Sequence, residues 1–316
     1  MKGLILFPVI IGVTLVVGGG AVLAYGITQN EKNSQRVTNE YDLDENLENF
    51  SLKLETANIE LKVGNERKVV CEETEKCYHE VTMSNNTLNI KAIDSRKWHE
   101  RIFNFGFFTP KVTIYYPAKE FNEFTMESAT GDLLIPHDYS FNKLNVKVST
   151  GKVTVNSDVK DSLYVKASTG NMYFTDVNAK SVELKASTGD LYLKNVKVDE
   201  TIKTNTSTGN VKMDNVNAKN IDVEASTGKA TLISTITTED IKIKTSTGDV
   251  KFDSSDAANL NVKTDTGDVR GSILTKKVIF VEQKTGRSRY PKLTEGGRFD
   301  ITTDTGDIDI TIKEVA

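Results

Sequence analysis

Apolar and polar residues alternate along most of this chain with a period of two, interrupted at fixed intervals by small polar turns. In "GNVKMDNVNAKNIDVEASTG" the apolar positions Val211, Met213 and Val216 precede the turn "NAKN", and Ile221, Val223 and Ala225 follow it. Such alternation is the mark of a half-buried strand. Val250 and Phe252, then Leu260 and Val262, fall at nearly the same offsets in another unit, as do Leu191 and Leu193, then Ile202. The pattern predicts two short strands and two turns per unit, with successive units stacked as parallel strands around one interior.

The turns set the period. Thr-Gly pairs end at Gly131, Gly151, Gly170, Gly189, Gly209, Gly228, Gly248, Gly267, Gly286 and Gly306, so the glycines advance by 19 or 20 residues throughout. A period this regular predicts a solenoid, in which no unit buries its own apolar face and stability comes from stacking. Gly suits a corner that needs positive φ, and the preceding Ser and Thr can bond corner backbone that no strand pairs. At ~4.8 Å between strands, nine steps from Gly131 to Gly306 span roughly 43 Å, so the body should be a rod.

The N-terminus breaks the pattern. "MKGLILFPVIIGVTLVVGGGAVLAYGITQN" carries no charge between Lys2 and Glu31, and Leu4 to Ile27 is long enough to cross a bilayer as a helix. Lys2 favours a cytoplasmic N-terminus, which places the rest of the chain outside. Two readings of this segment stand: a retained anchor, or a signal peptide whose small residues end at Ala24 or Gly26. Residues 1–29 are thus an expected transmembrane anchor or uncleaved signal and 30–49 an acidic linker. Residues 50–127 read as irregular capping coils with an aromatic loop over 94–110, and 128–316 as the regular repeat. The fold class is all-β: a single-chain parallel β-solenoid preceded by one transmembrane helix.

Charge and motifs exclude more than they assign. A net charge of −4 argues against nucleic acid as a partner. His79, His99 and His137 are scattered without a nucleophile motif, and no phosphate loop, dinucleotide fingerprint or zinc pattern occurs. No cofactor and no catalytic residues are expected. A polysaccharide-active enzyme is the less favoured alternative, since units of constant length leave little room for the loops that would form its groove. Asp132, Asp190, Asp249, Asp268 and Asp307 follow corner glycines and suggest a calcium ladder. Lys152, Lys229 and Arg287 stand at the same position and favour turn chemistry instead. The Thr-x-Thr pairs 245/247, 264/266 and 303/305 suggest an ice-binding lattice, but Ala167, Ala186 and Ala225 replace the first Thr elsewhere, pointing to small inward residues near the corner.

Three local features carry candidate chemistry. Trp98, Phe103, Phe105, Phe107 and Phe108 lie in the loop "DSRKWHERIFNFGFFTP", either folded over the open end of the solenoid or offered to a partner or membrane. Arg287, Arg289, Lys292 and Arg298 form a basic cluster that could contact an anionic polymer or be a solvated face. Cys71 and Cys77 either close a hairpin as a disulfide or are separate thiols buried as small hydrophobes. The last segment, "GDIDITIKEVA", has no evident polar cap, and its charges would blunt the final edge.

With "KVTIYYPAKEFNEFTMESATGDLLI" followed by repeated "STGDV"-type units, the chain resembles the putative adhesin family, a β-strand-repeat domain of unknown function common in Gram-positive bacteria. The resemblance covers about Phe50 to Ile312. It implies a cell-envelope solenoid, and some relatives are associated with envelope-stress loci of the Lia type. No catalytic residues come with it. The expectation is a membrane-anchored, extracytoplasmic scaffold binding a protein or envelope partner, with an adhesin for wall polymer or an external surface as the alternative. Oligomeric state is left open.

Overall fold

Along the regular part of the repeat, strands pair with those one unit away, largely in register, so that like residues stack on like. Val165 lies between Val146 and Leu184, and Ala167 between Val148 and Ala186. The computed structural model describes residues 35–97 and 108–313, and these are all-β, a parallel β-solenoid of about ten turns. The expected transmembrane helix lies outside the described residues. Among the described residues no helix is long and apolar enough to cross a membrane.

Each coil has one arm leading into the Ser/Thr-Gly corner and a second arm leaving it. The second arm is bent, which the two-strand reading did not anticipate. Asp176, Asn195, Asn215, Ser234 and Ser254 adopt φ of 46–56° there, a left-handed conformation that short polar side chains tolerate best. Leu191–Val198, for example, turns at Asn195, so that Leu191, Leu193, Val196 and Val198 all point inward. The Asx residues also bond along the stack: Asn195 Nδ2 donates to Asp176 Oδ1 at 2.7 Å and Asn215 Nδ2 to Asn195 Oδ1 at 2.9 Å.

The order of coils in space departs from their order in the chain at both ends. The ladder on the arm before the Gly corner runs Thr87–Asp94, Asn49–Thr56, Glu120–Thr130, Ser140–Thr150, Asp158–Thr169 and then regularly to Asn259–Thr266. Beyond it come Gly297–Thr305 and, last, Lys277–Thr285. The final coil of the chain is therefore inserted below the one that precedes it. The expected edge at "GDIDITIK" is corrected accordingly. Ile308–Ile312 pairs along its length with Val269–Ile273, Ser288–Arg289 covers its first two residues, and the longest free edge at this end is Lys277–Thr285.

The opposite end is closed by antiparallel strands. Cys77–Ser84 covers Thr87–Asp94, Lys68–Thr74 covers Lys111–Tyr116, and Arg36–Asp42 covers Lys68–Thr74. Beneath this cap the core is aromatic: Phe50, Phe121, Phe124 and Phe141 are buried with ring centroids 4.8–6.4 Å apart. Further along, the core is mainly Val, Leu, Ile and Ala, with Met172, Phe174, Met213, Phe252 and Phe299 among them. Thr245, Thr264 and Thr303 take the small inward position near the corner and are about 1 % exposed, so the first Thr of each Thr-x-Thr pair is interior rather than part of a surface lattice.

Candidate functional site

At the far end of the rod a level of the solenoid itself is left with unpaired backbone, as Arg36–Asp42 and Cys77–Ser84 are among the antiparallel strands at the other end. Among the described residues Lys277–Thr285 pairs on one side only, with Gly297–Thr305. Its inward side chains Ile279 and Val281 pack on the core while only partly buried, and Phe280 on the other face is 51 % exposed. The Arg298 guanidinium lies over the Phe280 ring, 4.8 Å from its centroid. Near the corner the inward position is Gln283 instead of Thr or Ala. Its Nε2 donates to the Gly306 carbonyl at 2.6 Å and its Oε1 accepts from Ser288 Oγ. The terminal level thus has polar inward groups at the corner and apolar ones along its arm, as suits a layer with water on one side. Ser288, which stands beside the apolar Ile308 in the ladder, belongs to this partial cap.

Inserting the last coil forces a long step. The segment after Ile273 climbs past the inserted level to reach Lys277, and beside that step lies a hollow of about 890 Å3 lined by Ile236, Thr237, Asp256, Leu274, Lys277 and Ile312. Lys277 is 2 % exposed, with its Nζ 2.7 Å from Asp256 Oδ1 and also donating to Thr275 Oγ1. Asp256 Oδ1 accepts from the Ala257 N–H at 2.8 Å, whereas Asp256 Oδ2 is buried without a hydrogen-bond partner. A buried charge pair was not foreseen, because nothing in "TKKV" marks one of two adjacent lysines as interior.

The basic cluster is largely matched by aspartates. Arg287 Nη2 lies 3.2 Å from Asp307 Oδ2, Arg289 Nε 2.9 Å from Asp309 Oδ1, and Arg298 Nε 2.6 Å from Asp300 Oδ2. Asp307 is held below the usual carboxylate range, first by the Arg287 backbone N–H and then by its guanidinium, and Asp309 is lowered by Arg289. Lys292 is exposed in the loop that follows. All three arginines lie on the distal levels, Arg287 and Arg289 just past the corner and Arg298 at the start of the other arm, and each is in an ion pair rather than in an unbalanced patch.

The acidic positions after the corner glycines have a structural task. Asp190 Oδ1 accepts from the Asn210 backbone N–H at 2.7 Å, Asp132 Oδ1 from Lys152 at 2.7 Å and Asp268 Oδ1 from Asp307 at 2.7 Å. Each carboxylate or amide secures the turn of the next coil. Asn58, where "TAN" stands in place of "TGD", does the same for Asp132 at 2.9 Å.

Of the aromatic loop, Trp98, Phe103, Phe105 and Phe107 lie outside the described residues. Phe108 is half-buried, with the Arg36 guanidinium 4.8 Å from its ring centroid. Cys71 and Cys77 are free thiols, which corrects the disulfide reading. Cys71 points inward from Lys68–Thr74, and its thiol is pushed up to about 12 by burial and then by the neighbouring Glu73 carboxylate. Cys77 opens the next strand, and its sulfur sits 3.6 Å from Asp94 Oδ1. Burial raises its pKa as well. Of the other histidines, His137 is exposed on a turn and His99 lies outside the described residues.

The Toastrack DUF4097 family model matches residues 47–206 and again 197–316. The matches together span most of the chain, so the protein belongs to the Toastrack DUF4097 family. No curated protein matches the chain. Among solved structures, a putative adhesin from Bacteroides fragilis is 14 % identical, with 88 % of this chain and 98 % of that one covered at a TM-score of 0.46. A putative lipid binding protein from Parabacteroides distasonis is 17 % identical, covering 74 % and 95 % at 0.48. A putative cell adhesion protein from Clostridium sporogenes is 11 % identical, covering 88 % and 100 % at 0.20.

Proposed function

We propose that the chain is a scaffold of the cell envelope, held at the membrane by its N-terminal apolar segment with the solenoid outside the cytoplasm, and that it engages a protein partner through the distal level. The observation that carries this reading is the half-exposed Phe280 on an unpaired parallel edge. Arg36–Asp42 and Cys77–Ser84 at the other end also pair on one side only, but as antiparallel additions to the solenoid, whereas Lys277–Thr285 is a level of the solenoid itself whose unpaired backbone lies beside Phe280. An open strand edge is a template for another chain: main-chain hydrogen bonds supply affinity, and alternate side chains supply selectivity. Here Val278, Phe280 and Glu282 would read an added strand. The alternative, an adhesin that grips anionic wall polymer through Arg287, Arg289 and Arg298, is disfavoured by the aspartate facing each arginine.

A photo-crosslinking residue at position 280 in intact cells, with a parallel probe at Phe105, tests the proposal. A discrete protein adduct from position 280 is expected. Wall or lipid adducts would favour the adhesin reading, and an adduct from position 105 alone would move the contact to the aromatic loop. Absence of any adduct from position 280 would remove the distal end as the site.

A further inference from the structure

The closed end holds a cluster that the scaffold reading does not use. Cys71 and Glu73 point inward from Lys68–Thr74, and His79 points inward from Cys77–Ser84, so all three are buried. The Cys71 sulfur, a Glu73 carboxylate oxygen and a His79 ring nitrogen all lie within 4.8 Å of one another, and no other group of this kind occurs among the described residues. Glu73 is fully engaged. Its Oε1 accepts from Asn39 Nδ2 at 2.6 Å, and its Oε2 accepts from the His79 backbone N–H at 2.7 Å and lies 2.8 Å from His79 Nδ1.

Hydrogen bonding to a carboxylate assigns the ring proton to Nδ1 and leaves the Nε2 lone pair free. His79 Nε2 is buried and has no hydrogen-bond partner. Buried polar atoms are mostly satisfied, and of the five such side-chain atoms without a partner among the described residues this is the one that is a metal-ligating nitrogen beside a thiol. The carboxylate–imidazole arrangement is the one by which proteins aim a histidine at a metal. A hollow of about 300 Å3 lined by Tyr41, Tyr78, His79, Glu80, Val81 and Ile93 lies beside the cluster, with Cys71 behind His79 rather than on its wall.

We propose that Cys71 and His79 bind a thiophilic d10 cation, Cu+ before Zn2+, with Glu73 fixing the ring. One thiolate and one imidazole satisfy a two-coordinate Cu+, and soft sulfur selects it. Zn2+ wants four donors, while the third group of this cluster is consumed by three hydrogen bonds. Binding exchanges the Cys71 thiol proton for the metal: the S–H bond breaks, an S–Cu bond forms and H+ leaves to solvent, with no change of oxidation state. The inference is independent of the distal edge and stands or falls apart from it.

The test is competition between the full chain and a chromophoric cuprous chelator, kept anaerobic with ascorbate. The wild type should withdraw one equivalent of Cu+. Cys71→Ala and His79→Ala should each weaken binding by about 100-fold or more, Glu73→Gln by about 10-fold, and Cys77→Ser not at all. X-ray absorption at the copper edge of the wild type should show one sulfur and one nitrogen scatterer, a readout that survives any folding defect in the variants. Retention by Cys71→Ala, loss in Cys77→Ser, a shell of sulfur or nitrogen alone, preference for Zn2+, or no withdrawal of Cu+ would each overturn the proposal.

Discussion

Gly170 stacks on Gly151 so closely that a Cβ on Gly170 would lie 1.9 Å from the Gly151 carbonyl oxygen. The obstacle is backbone, which cannot swing aside, and φ at Gly170 is +140°. The repeat therefore demands glycine for two reasons at once, closeness and conformation. Gly170→Ala should destabilise the protein by about 3 kcal/mol or more. The matched control is Gly64, where the nearest atom to an added Cβ is 4.0 Å away and φ is not in the left-handed range. Gly64→Ala should stay within about 1 kcal/mol of wild type in the same denaturant titration.

The ladder of carboxylates makes a pH prediction. Asp249 is lowered first by Lys229, Asp307 first by the Arg287 backbone N–H, and Asp309 by Arg289. A carboxylate with a lowered folded pKa contributes stability that is present above its unfolded value, about 4, and is lost as pH falls through the folded value. The thermal midpoint should be level from about pH 5 to 8 and decline below about pH 4. In Asp307→Asn combined with Asp309→Asn that decline should be shallower.

The repeat was legible because its cause is local and periodic. Gly170, Asn171 and Ala167 each recur with the geometry that their spacing implies. The bend at Asp176, Asn195 and Asn215 was also written in the chain, as "DV" or "NV" beginning six residues after each corner Gly, but a period-two pattern conceals it because side chains stay inward on both sides of the bend. The exchange of the last two coils was not legible. Gly286 and Gly306 have the same local environment in either order, and only the long step after Ile273 distinguishes them. The Cys71–Glu73–His79 cluster escaped for a related reason: alternation shows that positions 71, 73 and 79 can share a face, but not that two strands fold those faces together.

The buried pair at the step gives a sharper test of packing. With Lys277 and Asp256 both interior and 2.7 Å apart, truncating one leaves the other charged and unpaired. Lys277→Ala should therefore cost about 3–5 kcal/mol, whereas Lys277→Met with Asp256→Ala should cost markedly less than the sum of the single changes. A double-mutant cycle by urea denaturation measures the coupling. Additive effects would mean that the two side chains are separated in solution.

The two cysteines should differ in reactivity, and the reason bears on stability at high pH. Cys71 is fully buried with its thiol pushed up to about 12, while Cys77 is half-exposed beside Asp94. Only the thiolate is nucleophilic, so iodoacetamide at pH 8 should label Cys77 first and leave Cys71 protected until the cap opens, as read by peptide mass mapping. A thiol whose folded pKa lies above the unfolded value of about 8.5 contributes stability fully present below that value and lost as pH climbs toward the folded one. Unfolding should therefore become easier between about pH 8.5 and 10 in the wild type, and Cys71→Ala should remove that slope. Equal labelling of both cysteines in the native protein would mean that the cap over Lys68–Thr74 opens on the timescale of the reaction.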